Sequence, residues 1–166
     1  DITTSEFCVT EIPAGQVVLE LERLRPSEIL FPKDMVVPES WRLAAQTTLD
    51  PEAFDFELAR EMLLRHFQVA TLEGYGCDSS AVAIRAAGAI VSYLGATQKV
   101  FLGQVTALST YSTKAYMSLD PQTRRNLDLF EGGRWSAREN SLLRVLDLTK
   151  TAMGGRLLRR WIGQPL

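Results

Sequence analysis

Tyr116-Met117-Ser118-Leu119-Asp120-Pro121-Gln122-Thr123-Arg124-Arg125-Asn126-Leu127-Asp128-Leu129 is the stretch at which the chain changes character. An Asp-Pro pair is a strong helix start. The carboxylate accepts from backbone N–H groups that lack a partner in the first turn, and proline at the first helical position removes an N–H that would go unpaired anyway. A helix is therefore expected after Asp120. Two more starts follow with no strand between them: Ser141 before Leu142 to Leu148, and Thr151 before Ala152 to Ile162, with Gly163 and Pro165 as the stop. The last third of the chain is expected to be all-helical.

Upstream of Lys99 the pattern is mixed. Phe7 and Val9 alternate with Cys8, Thr10 and Ile12, the period of two that marks a half-buried strand over Ser5 to Ile12, and Pro13-Ala14-Gly15 ends it. Val17, Leu21 and Leu24 share one face of a short helix that Pro26 stops. Glu28 to Phe31 is a short strand, Asp50 to Asp55 a loop, and Asp55 the cap of a helix over Phe56 to Phe67, supported by Glu61 four residues before Arg65. Gln68 to Leu72 is expected to be a strand, and Glu73-Gly74-Tyr75-Gly76 a turn. Ser79 or Ser80 then caps a small-residue helix running to Gln98, with Ala83, Ala87, Ile90, Val91 and Leu94 as a wide apolar face. Strands alternating with helices imply a sheet with helices packed on it. Val100 to Tyr116 is extended or irregular.

The 166 residues are 46% hydrophobic and 23% charged, which fits a folded chain of one domain or one and a half. The net charge of -2 conceals an asymmetry. Asp1 to Gln98 carries seven basic against fifteen acidic residues, and Lys99 to Leu166 eleven basic against five acidic. An acidic part joined to a basic part suggests two units with different partners, the basic one near polyanionic nucleic acid, or else a solvated helix surface. The opening DITTSEFCVTEIP lacks the basic patch and apolar run of a secretory signal. Ala81 to Ala96, the longest apolar run, is interrupted by Arg85 and falls short of the roughly 18 to 20 apolar residues that span a bilayer. The chain starts inside a strand-like segment and stops just after a helix, so it reads as part of something longer. Two distant cysteines, Cys8 and Cys77, and one histidine, His66, provide neither a disulfide framework nor the usual zinc ligand count, and a reducing compartment is expected.

Catalytic motifs are scarce. Two-metal nuclease chemistry needs carboxylates converging on a sheet, and only Asp1 lies on a strand where that chemistry would want it. Glu6 is expected to face solvent, Glu20 and Glu22 to lie on the polar side of their helix, and Asp50 and Asp55 to be loop and cap residues. A phosphate-binding loop needs glycines before its Lys-Thr, so that backbone amides approach the phosphates, and Lys150-Thr151 has none in its approach. Neither Gly132-Gly133 nor Gly154-Gly155 belongs to a GxGxxG. His66 is expected to cap or pack at a helix end, with a base as the alternative. Cys8 and Cys77 are expected to be inert thiols. Arg134-Trp135 and Arg159-Arg160-Trp161 have the basic-aromatic pattern of base stacking, but Leu157, Leu158, Trp161 and Ile162 fall at helical spacing, so Trp161 is expected in a core.

The segment Met117 to Leu129, with its Asp-Pro followed by Thr-Arg-Arg-Asn-Leu-Asp-Leu, resembles the opening of the core domain of MutS-family DNA mismatch-recognition proteins. Ser141 to Thr149, Thr151-Ala152-Met153-Gly154 and Arg156 to Pro165 resemble the next core helices. Asp1 to Phe7, Leu24 to Leu30, Leu72 to Gly76 and Ala87 to Lys99 are similar to the family's connector domain. These matches cover the chain in the family's order. Asp1 matches the aspartate of a family turn, with Thr3-Thr4-Ser5 departing from its glycine.

The resemblance implies an α/β ribonuclease-H-like connector, a mixed sheet with helices, over residues 1–108 with its first strand truncated. An all-α segment of the helical core or lever domain would follow over residues 109–166. It implies a role without catalysis in this stretch: coupling mismatch binding to the ATPase and helping to dock MutL. It further implies a homodimer of the full-length protein on mismatched duplex DNA, in the bacterial cytoplasm and with no membrane. ATP and Mg would be held elsewhere in the full-length protein, with no cofactor or metal here. The motif positions Met117, Leu119, Asp120, Thr123, Arg124, Arg125, Asn126, Leu127, Asp147, Met153 and Gly154 are expected to serve helix packing and interdomain hydrogen bonding. Met117, Leu119, Leu127 and Leu129 would pack, and Arg124, Arg125 and Asn126 would bridge helices or domains. Two rivals stand beside this reading. A ribonuclease-H-fold nuclease would show carboxylates converging on Asp1 and metal-dependent cleavage, and a free-standing helical adaptor would show a complete monomeric fold.

Overall fold

Phe7 and Val9 turn inward and are buried, as their alternation requires, but the strand that carries them, β1, is only Cys8–Val9. The computed structural model describes residues 5–98, 102–113, 117, 119–130 and 141–163. The chain divides into two compact units, Asp1–Ser112 and Thr113–Leu166. After β1, a 3-10 turn at Ala14–Gln16 leads into helix α1, Val17–Leu24. Arg25 closes α1 in the left-handed conformation, φ 46°, and its N–H donates to the Leu21 carbonyl at 2.8 Å, so Pro26 follows a helix already ended. No residue of α1 is fully buried, and Leu24 is exposed.

Strand β2, Glu28–Pro32, pairs in parallel with β3, Ala45–Leu49, with Leu30 opposite Thr47. β3 corrects the sequence reading, which placed no strand there. Gln46, Thr47 and Thr48 give it no apolar alternation, and most of it is exposed. It is held by its ladder, by Thr47 Oγ1 donating to Glu28 at 2.5 Å and by the Lys33–Asp50 pair at 2.7 Å. Asp50 to Asp55, expected as a loop, contains a 3-10 turn over Pro51–Phe54.

Asp55 then starts helix α2, Phe56–Phe67, accepting from the Leu58 N–H at 3.0 Å. The Arg65–Glu61 pair lies on its surface at 2.6 Å. The strand expected over Gln68 to Leu72 is absent. Gln68 adopts φ 56° to cap α2, the Val69 N–H turns back to the Leu64 carbonyl at 3.1 Å, and the fully buried Leu72 leads into a 3-10 turn at Glu73–Tyr75. A helix cap has taken the residues whose alternation resembled a strand. Ser80, rather than Ser79, caps helix α3, Ala81–Thr97, accepting from Ala83 N–H at 3.1 Å and donating to Glu11 at 2.5 Å. The apolar face of α3 is buried at Ala83, Ile84, Ala87, Val91 and Leu94, with Ile90 at its partly exposed edge. Strand β4, Ser109–Thr110, completes the unit by pairing in parallel with β1.

The core of this first unit is one cluster: Phe7, Val9, Ala59, Leu63, Leu72, Cys77, Ile84 and Val91 among its members, with Val105 and Leu108 closing it from the C-terminal side. Among the described residues it is therefore a mixed α/β unit with two small parallel sheets, and the second unit is helical. Among the described residues no helix is long and apolar enough to cross a membrane.

Where α2 crosses α3, Gly88 sits against the backbone of Ala59, and a Cβ at Gly88 would come within 2.6 Å of Ala59 Cα. Gly95, on the same helix, would place its Cβ 3.7 Å from Leu102, an ordinary contact. These two glycines predict opposite signs. Gly→Ala in a helix gains about 1 kcal/mol of propensity, while overpacking costs about 1 to 3 kcal/mol. Gly88→Ala is expected to destabilise the chain by up to about 2 kcal/mol net, toward the upper end because the obstacle is backbone, and Gly95→Ala to stabilise it by up to about 1 kcal/mol. Denaturant unfolding followed by circular dichroism checks both, and equal effects would refute the packing account.

Candidate functional site

The residues carrying the family resemblance build the second unit, and their placement follows from how helix ends are satisfied. Asp120 Oδ1 accepts from the Thr123 N–H at 2.6 Å and starts helix α4, Pro121–Asn126. Those bonds to Thr123 hold the Asp120 carboxyl below its ordinary pKa. The helix closes through Leu127 N–H to Thr123 O at 2.9 Å, after which Asp128 takes φ 48° and Leu129 N–H returns to Arg124 O at 3.2 Å. Aspartate is among the few non-glycine residues that tolerate this left-handed region.

That turn positions the next helix. Helix α5, Leu142–Leu146, has four leading N–H groups, and each has a named acceptor. Leu142 donates to Asp128 O at 2.8 Å, Leu143 to Leu129 O at 3.0 Å, Arg144 to Ser141 Oγ at 3.3 Å, and Val145 to Ser141 O at 3.1 Å. Ser141 is buried, as are Leu119 and Leu129. Asp128 and Leu129 thus act through their carbonyls, Leu129 through its buried side chain as well. Sequence reasoning read Leu129 for packing alone and left Asp128 and Ser141 out of the site. The Ser-before-apolar-run signal at Ser141 marked a helix start but gave no partner for it.

A second corner follows. Asp147 ends α5, and its Oδ1 accepts from Thr149 Oγ1 at 2.6 Å and Thr149 N–H at 3.1 Å. The Thr149 hydroxyl bond, then the backbone bond, lower its pKa. Thr151 Oγ1 accepts from the Gly154 N–H at 3.0 Å at the start of helix α6, Ala152–Gly163. A Cβ at Gly154 would lie 3.1 Å from Thr149 Cβ and 3.2 Å from Thr151 Oγ1, so glycine lets the loop close on the first turn of α6. At the far end, Gly163 packs against Phe130, whose ring also carries the Arg159 guanidinium at 4.7 Å from its centroid. Phe130 was not singled out by the sequence, since a lone aromatic after the motif carries no periodicity.

The remaining motif positions divide. Met117 and Leu127, expected to pack, are 59% and 55% exposed, and Met153 is 64% exposed. Trp161, expected in a core, is 64% exposed and lines a shallow apolar groove with Leu146, Leu148, Leu157 and Leu158. The helical spacing was real, but it gathers these residues on a face that this chain leaves open. Asn126 Oδ1 accepts from Gln122 Nε2 at 2.8 Å, and Arg125 reaches Gln122 Oε1 at 3.5 Å, bonds that stay within α4, while Arg124 is half-buried. Asp1, Tyr116, Gly132-Gly133, Arg134-Trp135 and Pro165 lie outside the described residues.

In the first unit, His66 Nε2 lies 2.7 Å from the Val105 carbonyl and its ring meets Phe67 edge-on, so it ties α2 to the segment before β4. Cys77 is fully buried and burial pushes its thiol pKa up, while Cys8 Sγ lies 3.2 Å from Ser109 Oγ across the β1–β4 pair. Among the described residues no three His, Cys, Asp or Glu side chains come together to hold a metal.

The caps make two predictions for the second unit. Both Asp120 and Asp147 titrate below their ordinary range, so their stabilising effect is complete above about pH 4 and is lost as pH falls through the depressed values. Helicity of a chain lacking only Asp147 (Asp147→Asn) is expected to fall less steeply below about pH 4 than that of the parent, read by circular dichroism, and superimposable acid limbs would refute the cap. Ser141→Ala is expected to cost about 1 kcal/mol in denaturant unfolding, the usual worth of a lost N-cap. No change there would show that the carbonyls of Asp128 and Leu129 suffice.

Comparison with known proteins accords with the motif reading. Residues 1–106 match the family described as MutS domain II, and residues 122–166 match MutS domain III. The DNA mismatch repair protein MutS of Dehalococcoides mccartyi is 46% identical over 167 residues, covering all of this chain and 20% of the relative. That of Thermosynechococcus vestitus is 44% identical over 182 residues, covering all of this chain and 21% of the relative, and that of Methanococcoides burtonii 41% over 176 residues, all of this chain and 20% of the relative. The chain thus spans about a fifth of the length of these relatives. An acidic α/β unit followed by capped helices, matched in order by domains II and III, belongs to the MutS family of DNA mismatch repair proteins.

Proposed function

We propose that this chain is the mechanical link of a MutS protein: a connector, with a ribonuclease-H-like arrangement over residues 1–108, and the opening of the core or lever domain over residues 109–166. It couples mismatch binding to the ATPase, and its acidic connector face helps to dock MutL. The observation that carries this reading is the pair of ordered domain matches, falling on one α/β unit and one helical unit whose helix ends are satisfied by capping residues. Load can pass along such a chain without a reacting group in it. The full-length protein works on mismatched duplex DNA as a homodimer in the bacterial cytoplasm.

ATP and Mg do not fit the Lys150-Thr151 segment, where a phosphate loop would be sought. Thr151 Oγ1 is engaged in capping α6 through the Gly154 N–H, Thr149 bonds to Asp147, and Lys150-Thr151 has no preceding glycines to cradle phosphate. In this reading nucleotide chemistry belongs to another part of the full-length protein. Among the motif residues, Asp120, Thr123, Asp147 and Gly154 set helix ends. Met117, Leu127 and Met153 present apolar surface, and Arg124, Arg125 and Asn126 offer hydrogen-bonding groups to neighbouring helices.

Titration of the 166-residue chain against purified MutL tests the docking role. The expected result is saturable binding that weakens at least about tenfold when exposed Glu57, Glu73 and Asp78 are each changed to Lys, since like charge facing the partner costs several kcal/mol. Saturable binding indifferent to charge reversal would move docking off the acidic residues, and no binding by the folded chain would reduce the connector to a spacer. Against mismatched duplex the same chain is expected to bind weakly and to lose that binding between about 50 and 200 mM salt, as phosphate contacts do. Tight, salt-resistant binding would contradict the assignment of duplex gripping to other domains.

A further inference from the structure

We propose that Glu20, Arg23 and Tyr111 form a polar clasp that holds the end of strand β4 against α1, so that the chain leaving the first unit is tied to α1 by this side-chain triad and loosens there when the triad breaks. Glu20 is gripped twice by Arg23, Nε to Oε2 at 2.8 Å and a terminal guanidinium nitrogen to Oε1 at 2.5 Å, and receives the Tyr111 hydroxyl on Oε1 at 2.5 Å. The guanidinium also lies 5.8 Å from the centroid of the Tyr111 ring. The Glu20 and Arg23 side chains are only 12% and 16% exposed, so the pair is shielded from the water that screens surface ion pairs. Burial first, then the Glu20 bond, push the Tyr111 hydroxyl well above its ordinary pKa; it therefore stays a donor at any physiological pH. Burial works against the charge of Arg23, and Glu20 more than offsets it.

The clasp adds to a short set of ties on β4: among the described residues Thr110 Oγ1 donates to the Tyr75 carbonyl at 2.8 Å, and Cys8 Sγ lies 3.2 Å from Ser109 Oγ, but neither reaches α1. β4 is two residues long, and its backbone bonds to β1 are Ser109 N–H to Phe7 O and Tyr111 N–H to Val9 O, both 3.0 Å. A ladder that short is not stable alone. α1, for its part, has no fully buried residue. Removing the Tyr111 hydroxyl takes one charge-assisted donor from a shielded carboxylate, a larger loss than that of an exposed hydrogen bond. The triad joins residues 91 positions apart, at the point where the chain departs from the first unit. The clasp goes beyond the coupling role and stands without it.

Hydrogen exchange on the 166-residue chain tests it with no nucleic acid, nucleotide or partner present, so its outcome is separate from that of the docking titration. Tyr111→Phe and Arg23→Gln are each expected to speed exchange of the Ser109 and Tyr111 amides about tenfold, while the Leu63 and Ile84 amides in the α2–α3 core change less than about twofold. Tyr93→Phe, which removes an exposed Tyr–Glu bond to Glu28 of 2.9 Å, is expected to leave Ser109 and Tyr111 unchanged. Unchanged rates in both clasp variants would overturn the proposal. So would acceleration spread equally over Leu63 and Ile84, or an equal effect from Tyr93→Phe.

Discussion

The approach of α2 to α3 at Gly88 is the constraint on which the first unit depends. With no side chain at Gly88, the backbone of Ala59 moves in against α3, and Leu63, Ile84 and Ala87 can all be fully or almost fully buried. Small residues on α3 buy this closeness with helix propensity at glycine, and recover it as packed apolar surface. The parallel sheets are too short to provide a core themselves, so the helix pair serves as the floor onto which Phe7, Val9, Val105 and Leu108 settle. The ends of the unit are then tied by single polar bonds: Ser80 to Glu11, His66 to Val105, and Tyr111 to Glu20.

The second unit rests on a different balance. Few of its described residues are buried, and its definition comes from helix ends rather than from area removed from water. α4 is started by Asp120, α5 by Ser141 together with the carbonyls of Asp128 and Leu129, and α6 by Thr151. Two corners, one at Asp128 and one at Asp147 to Gly154, thus fix the path of the chain while Leu148, Met153, Leu157 and Trp161 remain at the surface. Directional bonds at the corners and an open apolar face suit a segment that belongs to a larger helical assembly, in keeping with the share of its relatives that it spans.

What the sequence made legible follows the strength of its local signals. Asp55, Ser80, Asp120, Ser141 and Thr151 all combine a side-chain acceptor with a following helical pattern, and each accepts from a first-turn N–H. β3 escaped because a polar, exposed strand has no periodicity to detect and exists through its ladder to β2. The strand expected at Gln68 to Leu72 failed because Gln68 and Arg25 close helices in the left-handed region without glycine, a conformation that composition does not announce. Trp161 shows the limit of periodicity, which identifies an apolar face but not what covers it. In the motif, Asp120 and Gly154 were marked by residue type, whereas the backbone roles of Asp128 and Leu129 depend on pairing with residues more than ten positions away. The family resemblance supplied what these local signals could not: the order of the two domains.

On the function we propose, this stretch transmits a change between distant sites as firm bodies joined at corners. Hydrogen exchange across this region in the full-length protein, with and without mismatched duplex and nucleotide, tests it most directly. The account predicts that amides of the α2–α3 core keep their protection in every state, while protection changes around β4 and at the apolar face of α6. Opening of the α2–α3 core on mismatch binding, or identical exchange throughout the region in all states, would contradict it.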